Sequence, residues 1–448
     1  MSKPVREVAL EILLQIEKNQ AYSNLLLNQT VNRTKLDPRD VGLLTELVYG
    51  TIQRRDTLDF YLQSFVKKGV NSLQDWVKVL LRLSVYQLAY LDRIPDRAVV
   101  HEAVTIAKKR GHKGISGMVN GVLRSILREG LPTFDKIEDD LERLALETSF
   151  PIWLVKRWSD QFGYEQTKAM CESSLVPPSV TVRVNKIKAT VEDAISLLEE
   201  EGLEVRKGVL SEDAIIIEKG NVFKTNAYRD GYITAQDESS MLVARAVGTE
   251  PNMTVIDACA APGGKSTHMA ELMEGQGKVL SFDLHEHKVK LIREQASRLG
   301  LDNITATALD ARTLTSQYDK NQFDRVLVDA PCSGFGVIRR KPDIKWSKEL
   351  KDIQAIQRIQ LDILTEAAQL VKNGGKLIYS TCTVDKEENE LVIEKFLNEH
   401  PHFTLDETLS ERLPLKARQS TTFENGMITI LPQDFETDGF FIASLVKQ

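Results

Sequence analysis

Cysteine is scarce in this chain. Four stand at positions 171, 259, 332 and 382 of 448 residues, too few and too scattered for a disulfide framework. None forms a C-x-x-C pair, and the 7 histidines show no ligand spacing with one another, so no metal site is expected. Long apolar runs are also missing, and nothing approaches the roughly 20 residues of a membrane span. The opening Met1-Ser-Lys-Pro-Val-Arg6 has no signal-peptide apolar core and passes straight into a helical pattern. A cytoplasmic location is therefore expected, with free thiols available for packing or chemistry. Repeats and low-complexity tracts are absent. The Gly263-Gly264-Lys265-Ser-Thr267 run is not G-x-G-x-x-G, and it lacks the first glycine of a phosphate loop.

What is present is an ordinary globular composition, 42% hydrophobic and 27% charged, in a chain long enough for several domains. The net charge of −6 hides an asymmetry. Residues 1–130 hold 20 Lys+Arg against 13 Asp+Glu, whereas the remainder holds 38 against 51. A basic N-terminal module on an acidic body points to RNA or DNA engaging the N-terminal part.

The patterning predicts a multidomain protein. Residues 1–132 read as an all-α bundle. Val8, Leu10, Ile12, Leu13 and Ile16 repeat at helical spacing, as do Val77, Leu80 and Leu88 further on. Breaks fall at Asp37-Pro38, Gly69, Ile94-Pro95 and 111–114, with an exit at Gly130-Leu-Pro132. Residues 133–235 form a small α+β connector, an RNA-recognition-like module. It has helices at 152–162 and 191–201, strands at 179–185, 203–207 and 214–218, and a joint at Val176-Pro177-Pro178. From 236 to 448 strands alternate with helices, which predicts a Rossmann-like, mostly parallel α/β sheet. Its strands are 253–259, 278–284, 304–309, 325–328 and 376–379. Its helices are 264–274, 285–299 and 349–372. Two late strands, 427–431 and 440–445, could close the sheet edge as a hairpin.

Three motifs sit where such sheets bind ligands, at the carboxyl ends of the strands. Asp257-Ala-Cys259-Ala260-Ala261-Pro262-Gly263-Gly264-Lys265 leaves a strand and enters a helix, so small residues and free N–H groups let a ligand approach closely. Asp283 ends the next strand, placed for ribose hydroxyls, and Asp310 follows the third, placed for an adenine edge. Asp329-Ala-Pro331-Cys332 and Ser380-Thr381-Cys382 put one thiol beyond each of two further strands. A strand-end cysteine is usually a packed small residue, but two beside a cofactor loop suit covalent catalysis. Only a thiolate attacks, and Lys265 is a candidate source of the positive field that favours it. These residues alone do not separate the roles of the two thiols.

The motifs resemble those of the RNA cytosine-5 methyltransferases of the NOL1/NOP2/Sun class. Pro331-Cys332 and Thr381-Cys382 resemble its paired cysteine signatures, and Cys259–Lys265 its cofactor loop. Arg183-Val184-Asn185, Gln236–Ser240 and Asp438-Gly-Phe-Phe441 are similar to its flanking elements. Leu47-Val-Tyr49-Gly50-Thr51 with Arg54-Arg55, and Val119-Asn120-Gly-Val-Leu-Arg124, resemble a NusB-type RNA-binding domain. The resemblance implies a class I methyltransferase domain that uses S-adenosyl-L-methionine to methylate carbon 5 of a cytosine. It implies Cys382 as the nucleophile adding to carbon 6 and Cys332 as the residue assisting release. It also implies a cofactor site lined by Cys259–Lys265, Asp283, Asp310 and Asp329, with Asp329 facing the base as well. Thr383 stands where the class commonly has Ser. The fused helical domain implies small-subunit (16S) ribosomal RNA as the partner, with transfer RNA the alternative, and a monomer is the default state. An RNA-binding assembly factor with a vestigial catalytic domain is the competing reading. The presence of both cysteines and all the strand-end acids argues against it.

Overall fold

The structure, a computed structural model, describes residues 3–19, 23–34, 36–420 and 422–448. It divides into two compact units, Met1–Val176 with Ile338–Ser347, and Pro177–Val337 with Lys348–Gln448. The division falls at the Val176-Pro177-Pro178 joint.

The first unit is helical. Helices Val5–Asn19, Pro38–Gln53, Arg55–Gln63, Asp75–Tyr90, Asp96–Arg110 and Lys113–Glu129 surround a core of Leu10, Leu44, Leu62, Leu81 and Leu123, all fully buried. The punctuation acts as its chemistry requires: Pro38 opens a helix and Pro95 caps one, positions at which a missing N–H costs nothing. Three further helices follow at Asp140–Thr148, Ile152–Phe162 and Tyr164–Ser173, and only the middle one was expected.

Ile338–Ser347 completes this unit from far along the chain. Lys345 is buried, and its Nζ donates to Gln53 O at 2.8 Å and Ser149 O at 2.7 Å. Burial holds the Lys345 ammonium well below the ordinary lysine value. Trp346 Nε1 donates to Ile52 O at 2.9 Å, and Arg55 stacks 3.7 Å above its ring.

The second unit contains two sheets. The smaller is antiparallel, built from β1 (Val180–Val184), β2 (Glu204–Lys207), β3 (Ala214–Lys219) and β4 (Ile233–Ala235) in the order β2-β3-β1-β4. Helix Val191–Glu200 starts at a Thr190/Asp193 capping box and packs Ala194 and Leu198 into the core of this sheet.

The larger sheet has nine strands among the described residues. Five are parallel: β5 (Thr254–Asp257), β6 (Lys278–Asp283), β7 (Ile304–Ala308), β8 (Phe323–Asp329) and β9 (Val371–Thr381). Antiparallel β10 (Phe403–Leu405), β11 (Phe423–Glu424), β12 (Met427–Ile430) and β13 (Phe440–Lys447) finish it, in the order β11-β12-β13-β9-β8-β5-β6-β7 with β10 also on β13. The late hairpin therefore does close the edge, pairing Phe441 with Thr381. Val255, Ile256, Val326, Leu327 and Val328 are buried, as expected of strands covered on both faces. The strand order reverses between β5 and β8. The carboxyl ends of these two strands therefore flank the crevice in which open α/β sheets bind ligands.

Candidate active site

The loop after β5 enters helix Gly264–Leu272 through Gly263, whose φ of 105° is a left-handed conformation that side chains resist. A Cβ there would also lie 3.2 Å from Ile292 Cα. No side chain caps this helix, so its first N–H groups stay available to a ligand. Arg183 fixes the helix from β1. Its guanidinium is fully buried and bonds both Glu271 oxygens, at 3.0 and 2.7 Å, while Nη1 donates to Gly264 O at 2.8 Å.

Four carboxylates follow the strand ends in quite different states. Asp257 is buried, and its Oδ2 accepts from Ser266 Oγ at 2.6 Å. Burial, with the charge of Asp329 added, pushes its carboxyl up to about 7. Asp283 Oδ1 accepts from His285 N at 3.1 Å, and its Oδ2 accepts nothing among the described residues. Asp329 Oδ2 takes the Lys265 ammonium at 2.6 Å and its Oδ1 takes Ser380 Oγ at 2.9 Å. Asp310 stands apart, held by Arg312 Nη2 at 2.6 Å, and that hydrogen bond lowers its carboxyl.

The two thiols meet. Cys332, in the loop after β8, and Cys382, the first residue after β9, place their Sγ atoms 3.3 Å apart. A close backbone approach supports Cys382 from behind: Gly336 N donates to Cys382 O at 3.0 Å, and Gly439 N donates to Gly336 O at 2.8 Å. A Cβ on Gly336 would lie 2.8 Å from Cys382 O, so this approach needs glycine. Lys265 Nζ lies 4.9 Å from the centre of the Phe440 ring as well as on Asp329. Burial works against the Lys265 charge, but Asp329 outweighs it and the group stays above the ordinary lysine value. Cys332 is pushed up by its contact with Cys382, by burial, and by the charges of Glu388 and Asp329. Cys259 is raised by burial, with Asp257, Asp329 and Asp283 adding to it.

The structure thus brings Cys332, Cys382, Asp329 and Lys265 into one connected cluster, with Cys259–Gly264 and Asp257 beside it. Asp310 joins no hydrogen bond of that cluster. The flanking motifs converge here too, since Asp237 Oδ1 accepts from Ser239 N at 3.0 Å and from Asp438 N at 3.2 Å. Sequence reasoning passed over Glu388, Asn389 and Gln360, all buried behind the thiols. The signal for them was three polar residues beside the cysteine loops or on an otherwise amphipathic helix. The donors and acceptors suit a nucleoside with ribose hydroxyls, and the carboxylates suit a cationic sulfonium. No group of three or more His, Cys, Asp or Glu among the described residues could hold a metal ion.

Residues 244–446 match the family model for 16S rRNA methyltransferase RsmB/F, and residues 3–128 that for the NusB family. Residues 150–223 match the ferredoxin-like domain of RsmF/B-like methyltransferases. The chain is 54% identical over 444 residues to the probable ribosomal RNA small subunit methyltransferase B of Bacillus subtilis, covering 99% of both chains. It is 32% identical over 446 residues to ribosomal RNA small subunit methyltransferase B of Escherichia coli O127:H6, again covering 99% of both. Among solved structures, the crystal structure of PH0851 superposes with a TM-score of 0.82 at 29% identity, covering 100% of both chains.

Proposed function

The chain belongs to the RsmB/F family of 16S rRNA methyltransferases, and from that premise we propose that it methylates carbon 5 of one cytosine in small-subunit ribosomal RNA through a covalent cysteine adduct. The observation that carries this reading is the sulfur pair at 3.3 Å beside the Lys265–Asp329 ion pair.

S-adenosyl-L-methionine is the cofactor and supplies an electrophilic methyl group. Cys259, Ala260, Ala261, Pro262, Gly263, Gly264 and Lys265 form the loop that would hold it, with Asp283 accepting from ribose hydroxyls. Asp310 would lie toward the adenine end, and Asp329 would close the site toward the base.

Carbon 5 of cytosine is a poor nucleophile until a thiolate adds to carbon 6. Cys382 forms that bond, and carbon 5 becomes enamine-like and takes the methyl group. Lys265 supplies the positive charge that favours the Cys382 thiolate. Asp329 orients Lys265 and hydrogen-bonds the pyrimidine edge as charge shifts into the ring. Loss of the carbon 5 proton to a water or a basic side chain restores the carbon 5–carbon 6 double bond and expels the Cys382 thiolate from carbon 6, and Cys332 assists that release. The target base must leave its stack to reach the thiols, so a looped or unpaired segment is the natural substrate. Residues 1–132 and 133–235 would supply phosphate contacts that set register. A cytoplasmic location and, by default, a monomeric state complete the proposal.

The test is trapping on ribosomal RNA carrying 5-fluorocytosine. Wild type should form a cofactor-dependent adduct mapped to Cys382, and Cys382→Ala should form none. Cys332→Ala should accumulate an adduct on natural RNA. An adduct on Cys332 instead would reverse the roles, and no adduct in any variant would remove the covalent route.

A further inference from the structure

The two cysteine loops are joined by more than their sulfurs. Glu388 lies behind them, fully buried, just before helix Glu390–Glu399. Its Oε2 accepts from the backbone N–H of Ser333 at 2.8 Å and from Gln360 Nε2 at 3.1 Å. Its Oε1 accepts from Thr383 Oγ1 at 3.4 Å, and that hydroxyl lies 2.9 Å from Ser333 Oγ. Gln360 Nε2 also donates to Pro331 O at 2.9 Å. Both neighbours of Cys332 and the residue after Cys382 therefore converge on one carboxylate and one amide. Tyr379 OH donates to Glu388 O at 2.6 Å and pins the residue itself to β9.

We propose that Glu388 is a positioning residue for methyl transfer: it latches the Cys332 loop to the Cys382 loop and so sets the two sulfurs in contact. This rests on the reading of Cys382 as nucleophile and Cys332 as release residue. A buried carboxyl is costly unless hydrogen-bonded, and the donors that offset the cost here belong to the two loops that must be aligned. An apolar side chain of the same size would fill the space but leave Ser333 N–H unpaired.

The latch also distinguishes the thiols. Burial carries the Glu388 carboxyl up to about 7 against the pull of Ser333 and Gln360, with the charge of Asp385 adding to the rise. Cys332 and Tyr379 are the other titratable groups that feel it. When ionised, Glu388 opposes a thiolate at Cys332, while Lys265 acts on Cys382. Cys332 then keeps its proton while Cys382 attacks.

The test compares full-length wild type, Glu388→Gln and Glu388→Ala in kcat, in KM for RNA and cofactor, and in iodoacetamide alkylation mapped to each cysteine. Glu388→Ala should lower kcat by about 100-fold, the cost of a reacting group displaced by ~1 Å, with both KM values little changed. Glu388→Gln still accepts from Ser333 N–H and should recover most of kcat. It lacks the charge, so Cys332 should alkylate severalfold faster at fixed pH than in wild type. Wild-type kcat and alkylation in Glu388→Ala would overturn the latch. So would a Glu388→Gln no better than Ala, with cofactor affinity and melting temperature falling together. Should Glu388→Ala not fold, Thr383→Val removes the hydroxyl between Glu388 and Ser333. It should lower kcat by about 10-fold with KM unchanged, and unchanged kcat there also overturns the latch. Trapping separates this from the underlying chemistry. No wild-type adduct on Cys382 sinks the covalent reading, whereas equal adduct rates in wild type and Glu388→Ala sink the latch alone.

Discussion

The carboxyl edge of the large sheet has two ends with opposite character. At the β8–β9 end, Asp329, Lys265, Cys332 and Cys382 have partners within the protein and are tied to a buried network behind them. Among the described residues, at the β6–β7 end, Asp283 keeps one oxygen without a partner and the Asp310 carboxylate is held only by its neighbour Arg312. The first end is pre-assembled, as a site must be when it needs two reacting atoms at a fixed spacing. On the proposed reading, the second would be completed by the bound cofactor. Changes at the two ends should therefore register in different measurements.

The largest effect belongs to the thiol end. Cys382→Ala should lower turnover on the order of 10⁴-fold or more, with RNA and cofactor binding retained in a filter assay. Loss of binding along with turnover would show that the ends are not separable. Lys265→Met should lower kcat by roughly 10²–10³-fold, the scale of removing one preorganised charge, and should move the pH-rate profile of Cys382 alkylation upward. An unmoved profile would remove Lys265 from thiolate formation. At the other end, Asp283→Ala should weaken cofactor binding by roughly 10–100-fold in calorimetry, about what hydrogen bonds to a charged group supply, while kcat at saturating cofactor stays near wild type. Asp310→Ala should cost less, about 5-fold, because its oxygens already serve Arg312. A larger loss for Asp310 than for Asp283 would invert the comparison.

The smallest effect is on stability. Asp257 holds its proton in the folded chain up to about 7, while an ordinary aspartate loses it near 3.8. The folded state therefore binds more protons over that window, and stability should fall as pH rises through it. Asp257→Asn should remove the fall. Its melting temperature should gain a few degrees on wild type at about pH 8, gain less at about pH 5, and nearly match it only near or below about pH 4. Equal differences across that range would mean that Asp257 is ionised in the fold.

The parallel strands of the large sheet were legible because each contains a short β-branched or apolar run, and four of the five end at or just before an acid; β9 departs from this, beginning at Val371 where the helix 349–372 was expected and ending at Thr381. Helix Glu238–Val247 was not, because it is buried almost all round and shows no polar face. The tight turn at Gly263 and the strand-end positions of Asp257 and Asp283 could be read from pattern. The sulfur contact could not, since it depends on β8 and β9 being neighbours in register, Asp329 against Ser380. Thr383 stands where the class commonly has Ser, and its hydroxyl, which either residue would supply, lies in the network that joins the two loops. For Glu388 the local signal, a polar residue beside a cysteine loop, is weak. A glutamate before a helix reads as solvated surface, and only the packing of Ser333 and Gln360 against it shows otherwise.

Lys345 and Trp346 bear on how the protein is made. They seal the helical unit against Gln53, Ser149 and Ile52, yet they leave the ribosome long after the residues they join. At roughly 5–20 residues per second, the stretch from 176 to 347 takes on the order of ten seconds or more. The part of the chain synthesised first is thus among the last to be finished. Until then, Gln53 O and Ser149 O must hydrogen-bond water in place of a lysine.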